Sequence, residues 1–493
     1  MISFKCQYVF TLACLLLPVC VLSSKKTELL NKNTFPEDFL FGVSTSAYQT
    51  EGGYNANGKG QSIWDYYTKK YPKKFHNSSN GNVACDSFKK FKEDVQLVKN
   101  LGVHFYRFSI AWSRILPDGF SHNVNKDGLR YYNDLINELL AKGIQPMVTM
   151  YHYDLPMTLQ EIGGWTNPYL AYYFEDYARI LYSYFGDRVK HWITLNGACP
   201  GYGDDVNPPF LNHSGIANYL CIHVTRLAHA KAYHLYDNEF RSLQKGKVGI
   251  VIEGNWYEAG SFAVEDIEAA ERMREFKIGL YANPIFYVEG DYPLTVRQRV
   301  GNVSRQEGYL QSRLPIFSPP RSRICTGYNV KEDTSERTSV EKDMRVRLYQ
   351  DDEWPKSGSN WLRVEPTGLR KALRWIRDKY EDPDIIITEN GFSDKGETND
   401  INRIKYYQKY LSSLLEAIHE DEVKVKAFAA WSLLDNFEWI SGYSEKFGLY
   451  HVNFSDPKRK RTAKKSVEWY KNVITHRRIV DIKEISSRLK GDL

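Results

Sequence analysis

Cysteine is scarce in this chain. There are seven among 493 residues, and three of them, Cys6, Cys14 and Cys20, fall in the first 24 positions. The others, Cys85, Cys199, Cys221 and Cys325, are too few for a disulfide framework, and their pairing stays open. No Cys-x-x-Cys or zinc-type cluster occurs, which removes a structural zinc domain. Beyond the N-terminus no stretch is apolar enough to span a bilayer, so no membrane anchor is expected. Neither sign of charge dominates: 66 Lys and Arg against 60 Asp and Glu leave a net +6, which argues against a nucleic-acid partner. Short repeats, low-complexity segments and linkers are also missing.

The N-terminus reads MISFKCQYVFTLACLLLPVCVLSS. One basic residue, Lys5, precedes an apolar run interrupted by Pro18 and closed by Ser23-Ser24, the pattern of a signal peptide. The expectation is a signal peptide over 1–24 and one domain over 25–493, secreted to the exterior, the gut lumen or another secretory compartment. Sequons at Asn77, Asn212, Asn302 and Asn453 are consistent with a glycoprotein. The end, Lys490-Gly491-Asp492-Leu493, is not a retention signal. The basic run 457–465 reads as a solvated loop and helix start. Aromatics make up 14% of the chain, a density that suits a large core and also surfaces that stack on sugar rings.

Apolar strand-like runs alternate with amphipathic helical patterns along the chain. The runs cover 39–49, 104–110, 145–152, 191–196, 247–257, 384–391 and 426–436. Between them, segments such as 127–142 and 369–380 place apolar residues at helical spacing. Strands alternating with helices over one long chain predict an α/β fold with a parallel sheet. Several runs end in polar residues: Gln49, His152, Asn196, Glu389 and Asp435-Asn436. In a (β/α)8 barrel such ends share one face and carry the chemistry. A doubly wound sheet would favour a glycine-rich phosphate loop after the first strand, and Glu51-Gly52-Gly53 does not match one. Between Tyr257 and Asp384 no convincing strand occurs. The best candidate, 324–330, is short and carries a glycine, so the sixth strand of the barrel is missing or degenerate.

Four stretches carry a resemblance: FLFGVSTSAYQTEG from Phe39, YRFSIAWSRILPDG from Tyr106, ITENG from Ile387 and AWSLLDNFEW from Ala430. Together and in this order they resemble glycoside hydrolase family 1, the β-glucosidases and myrosinases, in the style of animal and especially insect members. The resemblance runs from about Phe35 to His476. It implies a (β/α)8 TIM barrel and a retaining mechanism in which two carboxyl groups flank the scissile bond, roughly 5–5.5 Å apart. Glu389 matches the nucleophile. Gln49, His152, Asn196 and Glu438 match the groups that bind sugar hydroxyls. Trp431 and Trp439 match the platform under the ring, and Arg107 a cation beside the nucleophile. The substrate implied is a small-molecule β-glycoside or oligosaccharide, and no metal or cofactor is implied.

The pattern breaks twice. The family's fourth strand ends Asn-Glu-Pro, and that Glu is the acid/base; here Asn196 is followed by Gly197-Ala198. Asp204 and Asp205, in the loop beyond, are weak stand-ins. After Ser312–Pro315 about twenty residues of the pattern are missing, including a Tyr that bonds the nucleophile, and Tyr328 is not aligned with it. Tyr153 stands where the family usually has Trp. Three readings follow. The first is a glycosidase limited to leaving groups that need no protonation, as in plant myrosinases with Gln in place of the acid/base. The second is an inactive sugar-binding relative. The third is an ordinary β-glucosidase whose gene model has been trimmed.

Overall fold

The structure is a computed structural model and describes residues 33–197, 199–287, 290–300, 327–332 and 339–484. The N-terminal segment 1–24, Asn302, the 312–315 motif and Cys325 lie outside the described residues. The strands are β1 (Leu40–Ser44), β2 (Phe105–Ser109), β3 (Gln145–Tyr151), β4 (His191–Asn196), β5 (Lys247–Val251), β6 (Trp256–Ala259), β7 (Gly327–Glu332), β8 (Val346–Tyr349), β9 (Ile385–Asn390), β10 (Val425–Trp431), β11 (Tyr450–Val452) and β12 (Arg461–Ala463). Seven of them form one sheet in the order β5-β4-β3-β2-β1-β10-β9, and every pairing in it is parallel.

Parallel strands are buried on both faces, and these read accordingly. Phe105, Met147, Ile193, Val251, Ala427 and Ala429 meet inside the curled sheet. Val43, Val148, Ile250, Ile387 and Phe428 pack outward into a core shared with the surrounding helices. The helix Lys126–Ala141 shows how such a layer is built. Asn125 caps it by accepting from the Asp127 amide at 3.1 Å, and Leu129, Tyr132, Ile136 and Leu139 bury its inner stripe. Gly102, with φ +75°, ends the helix Ser87–Leu101 in a left-handed turn that feeds β2.

Among the described residues the sheet has seven staves and is open between β5 and β9. A cavity of about 190 Å³ at the N-terminal end of the strands touches both edges, at Lys247, Val248 and Gly249 on one side and Asp384 and Ile386 on the other. The candidate strand 324–330 does not fill the gap. Its described part begins β7, which pairs parallel to β6 and antiparallel to β8 in a separate sheet. That sheet borders a second small core around Tyr257, Met273, Phe276, Met344 and Val346.

Other sequence boundaries need correction for local reasons. The run 39–49 is a strand only to Ser44; Ala47–Thr50 is a helical turn in which the Thr50 amide donates to the Ser46 carbonyl at 3.2 Å. The run 247–257 splits at Glu253-Gly254-Asn255 into β5 and β6, which belong to different sheets. The run 426–436 is a strand only to Trp431. Within the basic run 457–465, Arg461 pairs with buried Asp94 at 2.9 Å, and fully buried Lys464 pairs with Asp435 at 2.9 Å, so these two cations are structural rather than solvated.

Candidate active site

The C-terminal ends of β2, β3, β4 and β9 converge on one guanidinium. Arg107, inward on β2 two residues past Phe105, is fully buried and forms an ion pair with the Oε1 of Glu389 at the tip of β9. Its Nη2 donates to Asn196 Oδ1 on β4 at 2.9 Å, and its Nε donates to Thr149 Oγ1 on β3 at 3.0 Å. One planar fork thus sets the relative positions of four strands. Asn196 Nδ2 in turn lies 3.2 Å from His152 Nε2. The Ser44 hydroxyl donates to the Thr388 carbonyl at 2.7 Å and ties β1 to β9 beside the carboxylate.

An aromatic wall faces this polar cluster. The ring of His152 lies stacked 6.1 Å from Trp431 and 6.0 Å from Trp439. Trp439 is braced from behind by Trp64 at 4.5 Å and by a parallel Tyr48 at 6.4 Å. Trp431 Nε1 donates to Glu438 Oε1 at 3.3 Å. Gln49 is held on both ends of its amide: Oε1 accepts from the Ser46 hydroxyl at 2.7 Å, and Nε2 donates to Asn436 Oδ1 and the Phe437 carbonyl, each at 2.9 Å. Buried carboxylate, amides, imidazole and indole faces in one hollow can pair with vicinal hydroxyls while an apolar face covers C–H groups.

The structure therefore brings Glu389, Arg107, Asn196 and His152 into one hydrogen-bonded chain. It sets Trp431, Trp439, Glu438 and Gln49 around that chain. Thr149, Tyr48 and Trp64 carry no such signal in the sequence beyond the period two from Met147 that points to Thr149, whereas Asn436 is one of the polar run ends noted above and here holds the Gln49 amide. Tyr153 packs its ring 5.7 Å from Trp439 and adopts φ +71°. Asp154 beside it is buried, and burial pushes its carboxyl up to about 7.

Position 197 holds no side chain, and none fits. A Cβ built on Gly197 would stand 1.7 Å from the Val251 carbonyl oxygen. The stand-ins in the following loop are used elsewhere. Asp204 Oδ1 accepts from the amides of Val206 and Asn207 at 2.9 and 3.1 Å, and exposed Asp205 pairs with Lys74 at 3.3 Å. A disulfide between Cys199 and Cys221 ties this loop to the helix Ala217–Leu235.

Strand ends of a parallel barrel-type sheet that gather a buried carboxylate and an indole wall define a carbohydrate-cleaving class of site. The profile described as glycosyl hydrolase family 1 matches residues 31–479, and the chain belongs to that family. It is similar to Myrosinase 1 of Brevicoryne brassicae, 42% identical over 458 residues that cover 90% of this chain and 98% of the relative. It is also similar to the cytosolic β-glucosidase of Homo sapiens, 39% identical over 461 residues that cover 89% of this chain and 98% of the relative. Among solved structures, an aphid myrosinase superposes with a TM-score of 0.84 at 40% identity, covering 90% of this chain and all of that one. A rice β-glucosidase mutant in a covalent complex with Glc superposes with a TM-score of 0.81 at 37% identity, covering 89% and 98%. The protein is an α/β glycoside hydrolase of the TIM-barrel type with β-glucosidase- or myrosinase-like function.

Proposed function

We propose that this chain is a secreted retaining β-glycosidase confined to β-glucosides or thioglucosides whose leaving groups depart without a proton. One observation carries this reading: Glu389 is buried and oriented by Arg107 inside the hydroxyl-pairing cluster, while the residue that follows β4, Gly197, has no room for a side chain. Glu389 attacks the anomeric carbon and the aglycone leaves as a stable anion. Loss of general acid catalysis costs about 10²–10⁴-fold for a poor leaving group and much less for a good one. The covalent Glc complex of the rice relative supports a covalent route, and the similarity to myrosinases supports sulfur-linked aglycones.

Gln49, His152, Asn196 and Glu438 hold the sugar hydroxyls, and Trp431 and Trp439 form the platform. The N-terminal apolar segment, the exposed sequons Asn77, Asn212 and Asn453, and the Cys199–Cys221 disulfide support passage through the secretory pathway as one glycosylated domain. The test compares a dinitrophenyl β-glucoside with an alkyl β-glucoside and labels the protein with a fluorosugar. Hydrolysis of the first alone, with label on Glu389, is the expected result. Binding without label supports an inactive sugar-binding protein instead.

A further inference from the structure

The second half of a retaining cycle needs a base to activate water, and position 197 supplies none. The chain continues past Val251 of β5 into Ile252-Glu253-Gly254. Along this stretch the faces alternate: Val248, Ile250 and Ile252 belong to the core outside the sheet, and Val251 belongs to the cluster inside it. β5 itself ends at Val251, and period two carried one step past that end gives the next inward position to Glu253. On β2 and β3 the same step from the inner cluster leads from Phe105 to Arg107 and from Met147 to Thr149, the two residues joined at 3.0 Å beside Glu389.

Register puts Glu253 next to the empty position. Asn196 pairs with Val251, two residues before Glu253, and Gly197 lies against the Val251 carbonyl and Ile252 Cα. Neighbouring strands run about 4.8 Å apart and rise about 3.3 Å per residue, so a side chain just past the end of β5 stands within about one side chain's length of the position just past the end of β4. Glu253 acts electrostatically on Tyr281, which in turn feels Tyr153, whose ring packs on Trp439 and His152. Lys277 is the cation that feels Glu253.

Resting on the proposed retaining reading, we propose that Glu253 is the general base of the deglycosylation step. Water attacks the anomeric carbon of the sugar esterified to Glu389. The carbon–oxygen bond to Glu389 breaks, and its electron pair stays on the departing carboxylate. Glu253 takes a proton from the water, and the free sugar leaves. Glu253 then returns that proton to solvent.

The test uses the full chain with a dinitrophenyl β-glucoside and compares wild type with Glu253→Ala and Glu253→Gln. Both variants are expected to release a burst of dinitrophenolate equal to the active sites. Their steady rate should then be lower by on the order of 10²–10⁴-fold, with the glycosyl group held on Glu389 by mass. Azide should restore turnover in Glu253→Ala as glycosyl azide. The burst counts folded, competent sites, so a folding defect is separated from a chemical one, and Glu253→Gln keeps the shape if the alanine variant fails to fold. Steady rates at the wild-type level, or loss of the burst in a folded Glu253→Gln variant, overturn the assignment. If wild type itself gives no burst and no label on Glu389, the retaining reading falls and takes this one with it.

Discussion

The main-chain oxygen of Val251 occupies the space that a side chain on Gly197 would need, 1.7 Å from where its Cβ would be. Putting the family's glutamate back at this position is therefore not a repair. Gly197→Glu is expected to leave alkyl β-glucosides uncleaved and to destabilise the fold by about 1–3 kcal/mol or more, as overpacking does. Thermal melting and an alkyl-glucoside assay check both halves. A gain of alkyl-glucosidase activity would mean that the β4–β5 junction yields.

Arg107 is fully buried and serves Glu389, Asn196 and Thr149 together. Arg107→Met leaves a buried carboxylate without its cation and is expected to cost about 3–5 kcal/mol. Arg107→Lys keeps the charge but not the planar fork, so it should fold better yet label Glu389 slowly. Denaturant melts and the rate of fluorosugar labelling separate the two effects.

Asp154 makes stability depend on pH in a direction opposite to that of a salt-bridged carboxylate. Burial holds its folded-state carboxyl at about 7, against 3.8 for an ordinary aspartate. Between those values the folded state binds more protons than the unfolded one, so stability is greatest below the lower value and declines as pH rises through about 7. Asp154→Asn can still accept from the His152 amide, a 3.4 Å bond in the native chain. It should remove this part of the slope, as read from melting temperatures between pH 4 and 8.

The Cys199–Cys221 disulfide closes a loop across a sequence separation of 22 residues. Cys199→Ala is expected to lower stability by about 2–4 kcal/mol. A thiol reductant should lower the melting temperature of the native chain towards that of the variant and leave the variant unchanged. Equal melting of the native chain with and without reductant would mean that the bridge is not formed.

Much of the site was legible because chemistry and strand ends coincide in a parallel sheet. Glu389, Asn196 and His152 sit where an apolar run stops or turns polar, and Arg107, Trp431, Glu438 and Trp439 lie in motifs that are local in sequence. Thr149 and Tyr48 were not singled out, because a threonine inside a strand and a tyrosine in a turn look like packing until their partners are known. In the sequence Glu253 looks like strand interior, because the run 247–257 hides the point where the chain leaves one sheet for another.

By itself the sequence determined the alternation of strands and helices, the family motifs and the glycine at 197. All of these follow from residue type and spacing along the chain. Only the tertiary structure decided that the described part of 324–330 joins a side sheet, that Cys199 pairs with Cys221, and that the space beside Gly197 belongs to Val251. Each of these depends on which backbone lies against which, and distances between segments far apart in the chain are set by packing rather than by local pattern.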